Sequence, residues 1–129
     1  MPAPASATYD AASKIAAHTA FLGLLDDAGT ARIAIRTAAD ALLATVVLGS
    51  PAGTVNGTTG VLTLSLPATP PAASASGNAA YAELTNGAGA VRLALPCVQG
   101  TVGVPGVLVL NALNIVAGAP VQILTATIG

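Results

Sequence analysis

Apart from two tyrosines, one histidine, one cysteine, five acids and four bases carry all the ionisable side-chain chemistry of this 129-residue chain. Their spacing decides what they can do. His18 is the only histidine, and a metal site built on it needs Cys, His or Asp partners at ligand spacing, which the sequence does not supply. In its Ala-rich setting it reads as a packed or surface side chain. Asp26 and Asp27 adjoin, and with Asp40 they raise paired carboxylates or a calcium loop. Neighbouring side chains at a helix end diverge, however, and no D-x-D-x-D-G spacing follows, so the pair reads as a C-terminal helix turn. Cys97 follows Pro96 in an expected loop, and a nucleophilic role needs a base that only His18 offers. The glycines of Gly87-Ala88-Gly89 and of Gly103–Gly106 lack the lysine and following helix of a phosphate cradle. No catalytic, cofactor-binding or metal-binding residue is assigned. Tyr81, Glu83 and Arg92 remain. They fall on facing positions of one hairpin and form either a polar patch at a subunit contact or a solvated face. Arg32 and Arg36 join them as candidate contact residues, because they share one face of a strand that meets solvent or a partner.

The elements that position these groups follow from periodicity. Ile15, His18 or Thr19, Leu22 and Leu25 recur every three or four residues, which predicts a helix over about 9–26 behind an unpaired Pro/Ala/Ser arm at 1–8. Asp10 suits its N-cap, and Gly29 suits the left-handed residue past its end. From Ala31 the period becomes two: Ile33 and Ile35 oppose Arg32, Ala34 and Arg36. Leu42–Leu48 is denser in apolar residues and reads as a strand buried on both faces. Pro51–Gly60, with its Asn56-Gly57 pair, reads as a turn region that launches a strand at Val61–Leu66, where Leu62, Leu64 and Leu66 face one way. Residues 67–78 form a loop by composition, since Pro70-Pro71 suits neither helix nor central strand. Ala79–Leu84 carries Tyr81 and Glu83 on one face. After the turn Asn86-Gly87-Ala88-Gly89, Ala90–Leu95 points Val91, Leu93 and Leu95 inward and Arg92 outward. Pro96–Gly106 reads as a second loop, before strands at Val107–Leu110, Leu113–Val116 and Val121–Ile128. Seven or eight short strands with regular turns and one N-terminal helix predict a mainly β domain, a β-sandwich or jelly roll.

Composition narrows the class. The length fits one domain, 9–129, able to bury about two-thirds of its unfolded surface. Apolar residues reach 53% while aromatics stand at 2% and charges at 7%, so the core must be aliphatic and its layers thin. So little charge leaves a lone monomer poorly solvated, and the chain is expected to pack against copies of itself or a partner. Four scattered bases and a net charge of −1 provide no footprint for nucleic acid. A single cysteine excludes an internal disulfide. The opening MPAPASATYD has neither a basic nor an apolar signal-peptide region, so none is expected. Val102–Leu124 is long enough to span a bilayer, but two prolines and Asn111, Asn114 and Gln122 interrupt it, and short strands with turns explain the same residues.

Three pieces resemble one group of small proteins of tailed bacteriophages and prophages. The first is a helix closing in Leu24-Leu25-Asp26 and Ala28-Gly29, followed directly by ARIAIRT. The second is LLATVVLGSPAGTVNGTTGVLTLSLP at 42–67. The third is GNAAYAELTNGAGAV at 77–91, with LVLNALNIVAGAPVQILTATI at 108–128. The likeness runs from about residue 20 to the end as a pattern of strands and turns, without a catalytic signature. This chain is richer in Ala and lacks acids in its Ser74–Asn78 loop. The resemblance implies a non-enzymatic virion protein: a capsid decoration (cement) protein that binds major capsid or other virion subunits, self-associates, needs no cofactor and resides in the virion. A tail or fibre component is the near alternative. A carbohydrate-binding β-sandwich module is the distant one, and its usual aromatic platforms would have to come from Tyr9, Phe21 and Tyr81.

Overall fold

Asp10 starts the helix as its type predicts. The structure, a computed structural model, describes residues 10–27, 29–49, 51–67, 70–100 and 107–128. The expected arm at 1–8 lies outside them. Helix α1 spans Ala11–Leu25, and its N-cap Asp10 accepts the Ser13 N–H at 2.8 Å. That hydrogen bond holds the Asp10 carboxyl below the usual carboxylate range. At the far end Gly29 takes φ +115°, the left-handed exit expected of it. Ile15, His18, Phe21 and Leu22 are half-buried and only Leu25 is fully buried, so α1 lies along the domain rather than inside it.

Ten strands follow among the described residues. They are β1 (Arg32–Arg36), β2 (Leu42–Val47), β3 (Gly53–Val55), β4 (Leu62–Leu64), β5 (Gly77–Asn78), β6 (Tyr81–Thr85), β7 (Val91–Gln99), β8 (Leu108–Leu110), β9 (Asn114–Ile115) and β10 (Ile123–Ile128). Eight form one sheet in the order β2-β1-β6-β7-β8-β10-β4-β3, and β5 pairs with β9 in a separate ribbon. The sheet curls back on itself. Gly49 N–H donates to Ser65 O at 3.0 Å, which brings the end of β2 beside the end of β4. The result is the expected mainly β, sandwich- or barrel-like domain with one N-terminal helix.

The core is aliphatic, as the composition requires. Ile33, Ile35, Leu43, Val46 and Leu84 on one half of the sheet meet Leu62, Leu64, Leu108 and Leu110 on the other, with Leu25 of α1 among them. Phe21 only packs at the margin. Leu62 and Leu64 are buried while Thr63 is exposed, the alternation read from the sequence.

Four local expectations change. β2 is an edge strand buried on one face only, and Leu42 and Val47 stand 40% and 50% exposed. Val91 does not face inward. The β6–β7 register pairs Leu84 with Leu93 but Thr85 with Val91, so Arg92 is an extra residue; the bulge turns Val91 outward, 51% exposed. Nor does the strand stop at Leu95. β7 runs through Pro96 to Gln99, its last three residues pairing in parallel with β8. Cys97 N–H donates to Ala80 O, so Pro96 turns its missing donor to the opposite side, ahead of the first β7–β8 pair, Cys97↔Leu108. Finally, Pro51–Gly60 contains β3, paired with β4, and the loop at 67–78 ends in β5.

Candidate functional site

The polar residues singled out on the hairpin do gather, but around a different arginine. β1 lies against β6, with Ala34 opposite Glu83 and Arg36 opposite Tyr81. Arg36 Nε donates to Glu83 Oε1 at 2.5 Å, the one ion pair among the described residues. Both side chains are partly exposed, so water screens the pair and its contribution is small. The β1–β2 turn adds a fourth member, Asp40. Its φ of +69° is one that Asp tolerates better than most residues, and the turn is closed by Thr37 N–H to Ala41 O and Asp40 N–H to Thr37 O, both at 3.0 Å. Arg36 Nη1 donates to Asp40 O at 3.1 Å, and the Tyr81 hydroxyl donates to Asp40 Oδ1. Donating this hydrogen bond to the carboxylate, with the negative charge nearby, holds the hydroxyl proton and raises the Tyr81 pKa above its ordinary value. Arg92 stays apart in its bulge, exposed, and Arg32 is exposed at the other end of β1.

Cross-strand register arranges this outer face in three rows over β2, β1, β6 and β7. One end carries Val47, Arg32, Thr85 and Val91, with Arg92 beside the last. The middle row is Thr45, Ala34, Glu83 and Ala94. The other end carries Leu42, Arg36, Tyr81 and Pro96, with Asp40 in the adjoining turn. Sequence alternation placed Tyr81 and Glu83 together. It missed Asp40 as a member and the apolar corners Leu42, Val47 and Val91, the last turned outward by the bulge.

The other ionisable groups serve the fold. His18 Nδ1 donates to Gly60 O at 2.6 Å, which pins α1 to the β3–β4 turn. Gly60 has φ +78°, and a Cβ there would come within 2.5 Å of Lys14 Cβ, so the helix rests directly on this glycine. Asp26 Oδ1 accepts the Ala52 N–H at 3.0 Å and ties the helix end to the start of β3. Cys97 is buried in β7 rather than placed in a loop, and burial pushes its thiol up to about 11, away from a reactive thiolate. Gly87-Ala88-Gly89 is the expected hairpin turn, held by the buried Asn86 side chain, which accepts the N–H groups of Ala88 and Ala90 at 3.0 Å each. Gly103 and Gly106 lie outside the described residues.

Two shallow depressions flank Val121 and Gln122, one of about 220 Å³ beside Pro67, Pro70 and Pro71 and one of about 270 Å³ beside Asn111 and Asn114. Among the described residues that line them, none is ionisable or aromatic. Among the described residues no three His, Cys, Asp or Glu side chains gather closely enough to hold a metal ion, and no helix is long and apolar enough to cross a membrane. Comparison with protein families, curated proteins and solved structures finds no match to the chain.

Proposed function

We propose that the chain is a non-enzymatic structural protein of a tailed-phage or prophage virion, a capsid decoration protein that stabilises the shell by covering major capsid subunits. Its mechanism is surface burial. Each contact of ~800 Å² per partner holds modestly, and symmetry repeats it over the shell, so that many contacts act together. The observation that carries this reading is the outer face of β2-β1-β6-β7, a sheet surface with three exposed aliphatic corners around a fixed polar centre. Such a face suits docking, and the ionisable groups near it hold one another in place instead of converging on a cavity. The resemblance of the strand-and-turn pattern to that of small phage virion proteins supports the choice of partner.

Virions purified from the encoding phage, or from its induced prophage, provide the test. Heads and tails are separated and their proteins quantified by mass spectrometry. The decoration role predicts the chain in the head fraction at a copy number comparable to the major capsid protein, and particles lacking it should lose DNA at lower temperature. Recovery only with tails would move it to a tail or fibre role, and absence from virions would overturn the proposal.

A further inference from the structure

Two Asn-Gly pairs occur in the chain, Asn56-Gly57 and Asn86-Gly87, and each opens the turn of an antiparallel hairpin, β3–β4 and β6–β7. The turns are built alike. Asn56 Oδ1 accepts the N–H groups of Thr58 and Thr59 at 2.8 and 2.9 Å, and Asn86 Oδ1 accepts those of Ala88 and Ala90 at 3.0 Å each. Their surroundings differ. Asn86 is 4% exposed, and the half-buried Gly87 places its Cα 3.9 Å from where a Cβ on Gly29 would stand. Asn56 and Gly57 are both exposed, and a Cβ on Gly57 would meet nothing within 4 Å. The Gly57 N–H donates no hydrogen bond among the described residues.

We propose that Asn56 is a site of spontaneous deamidation, that burial protects Asn86, and that the isoaspartate formed at position 56 loosens the seat of α1. The step is an acyl transfer within the turn. Water or hydroxide takes the Gly57 N–H proton, and the nitrogen attacks Asn56 Cγ, an approach that glycine leaves open because it has no Cβ. As the N–Cγ bond forms, negative charge develops on Oδ1. The Thr58 and Thr59 N–H groups already point at that oxygen from the distances, roughly 2.7–3.1 Å, that stabilise an oxyanion. The Cγ–Nδ2 bond then breaks, and Nδ2 takes a proton from water and leaves as ammonia. Water opens the resulting cyclic imide at Cγ to give aspartate, or at the Asn56 backbone carbonyl to give isoaspartate. Nothing is oxidised or reduced. At Asn86 the same pair of donors is present, but packing keeps water from the amide and from the ammonia that must depart.

The two products differ in the main chain. Aspartate keeps the backbone and offers the Thr58 and Thr59 N–H groups a charged, stronger acceptor. Isoaspartate routes the main chain through Cβ and Cγ, which lengthens the turn by one atom and converts the Asn56 carbonyl into a free carboxylate. That carbonyl accepts the Gly60 N–H at 2.9 Å, and Gly60 O receives the His18 ring at 2.6 Å, so the reacting residue lies directly behind the contact that pins α1. The inference concerns the chain alone and is independent of the virion reading.

The full chain, aged in neutral buffer at physiological temperature, is cleaved after Glu83, its one glutamate, which separates the two asparagines. Mass spectrometry of the fragments counts deamidation at each, and an isoaspartate-specific methyltransferase counts the isoaspartate. Asn56 should convert at least about tenfold faster than Asn86, whose reaction must wait for local opening. Gly57→Ala, which the open space around Gly57 admits, should nearly stop conversion at position 56. Aged wild-type protein should then melt below aged Gly57→Ala, while fresh Asn56→Asp melts no lower than fresh wild type. Equal rates at the two asparagines, or an Asn56 still intact when a free peptide of residues 53–61 has converted, would overturn the proposal. So would an undiminished rate in Gly57→Ala, or converted wild-type protein that melts together with it.

Discussion

Asp40 and Tyr81 show how much a single residue's role depends on distant chain. Alternation along Ala79–Leu84 tells that Tyr81 and Glu83 share a face, and alternation along β1 tells the same of Arg32 and Arg36. It does not tell that β1 and β6 are neighbours, which is what brings Arg36 to Glu83 across 47 positions and Asp40 to Tyr81 across 41. Arg92 was nearer in sequence and on the expected hairpin, yet the bulge sets it aside. The Tyr81–Asp40 hydrogen bond makes a testable claim about proton affinity. A tyrosine whose folded pKa is raised adds stability below its unfolded value, near 10, and that stability is lost as pH rises through the folded value. In a Tyr9→Phe background only Tyr81 absorbs as tyrosinate. Its ultraviolet titration should fall above the ordinary midpoint, and Asp40→Asn, which keeps a residue tolerant of positive φ, should bring it down toward 10. Coincident titrations in the two proteins would mean that the hydroxyl faces water.

At the scale of elements, period and turn chemistry were enough to place the helix, its caps and nearly every strand. What they could not carry was termination and register. Proline at position 96 reads as a strand end, yet a proline is admitted where its nitrogen faces a side without a ladder bond, and only the neighbouring strands reveal which side that is. Likewise LLATVVL reads as doubly buried, whereas Leu42, Thr45 and Val47 of β2 are exposed on the face turned away from the core. Strand β4 is the cleaner case. Leu64 is 3% exposed, whereas Thr63 sits between Thr54 and Thr127 of its neighbours on the outward side. Leu64→Asp places a carboxylate in an aliphatic layer, where it must bind a proton to remain. The residual penalty and lost packing should cost roughly 3–5 kcal/mol. Thr63→Asp should cost under ~1 kcal/mol, since exposed substitutions are usually mild. Urea melts of both variants separate the cases. Equal losses would mean that both faces of β4 are buried.

The whole molecule is held together by its last strand more than by its first element. Helix α1 contributes one fully buried side chain, Leu25, and is otherwise fastened by His18 to Gly60 and by Asp26 to Ala52. β10, in contrast, lies inside the sheet and joins its halves, pairing Ala126 with Leu108 of β8 on one side and Ile128 with Leu62 of β4 on the other. Removing a margin and removing a centre should therefore have opposite outcomes. Deletion of residues 1–24 strips off partly buried Phe21 and Leu22, each worth half the ~1.5–3 kcal/mol of full burial, and should leave a sheet that melts cooperatively at lower temperature. Deletion of 123–129 removes the only strand pairing that joins β4 to β8 among the described residues and opens the aliphatic core there, so it should abolish the cooperative transition altogether. Circular dichroism melts distinguish the two, and adding a peptide of residues 121–129 in trans should restore a transition to the second. If the C-terminal deletion melts cooperatively by itself, β2-β1-β6-β7 is stable as its own unit, and β10 closes the domain without being required to fold it.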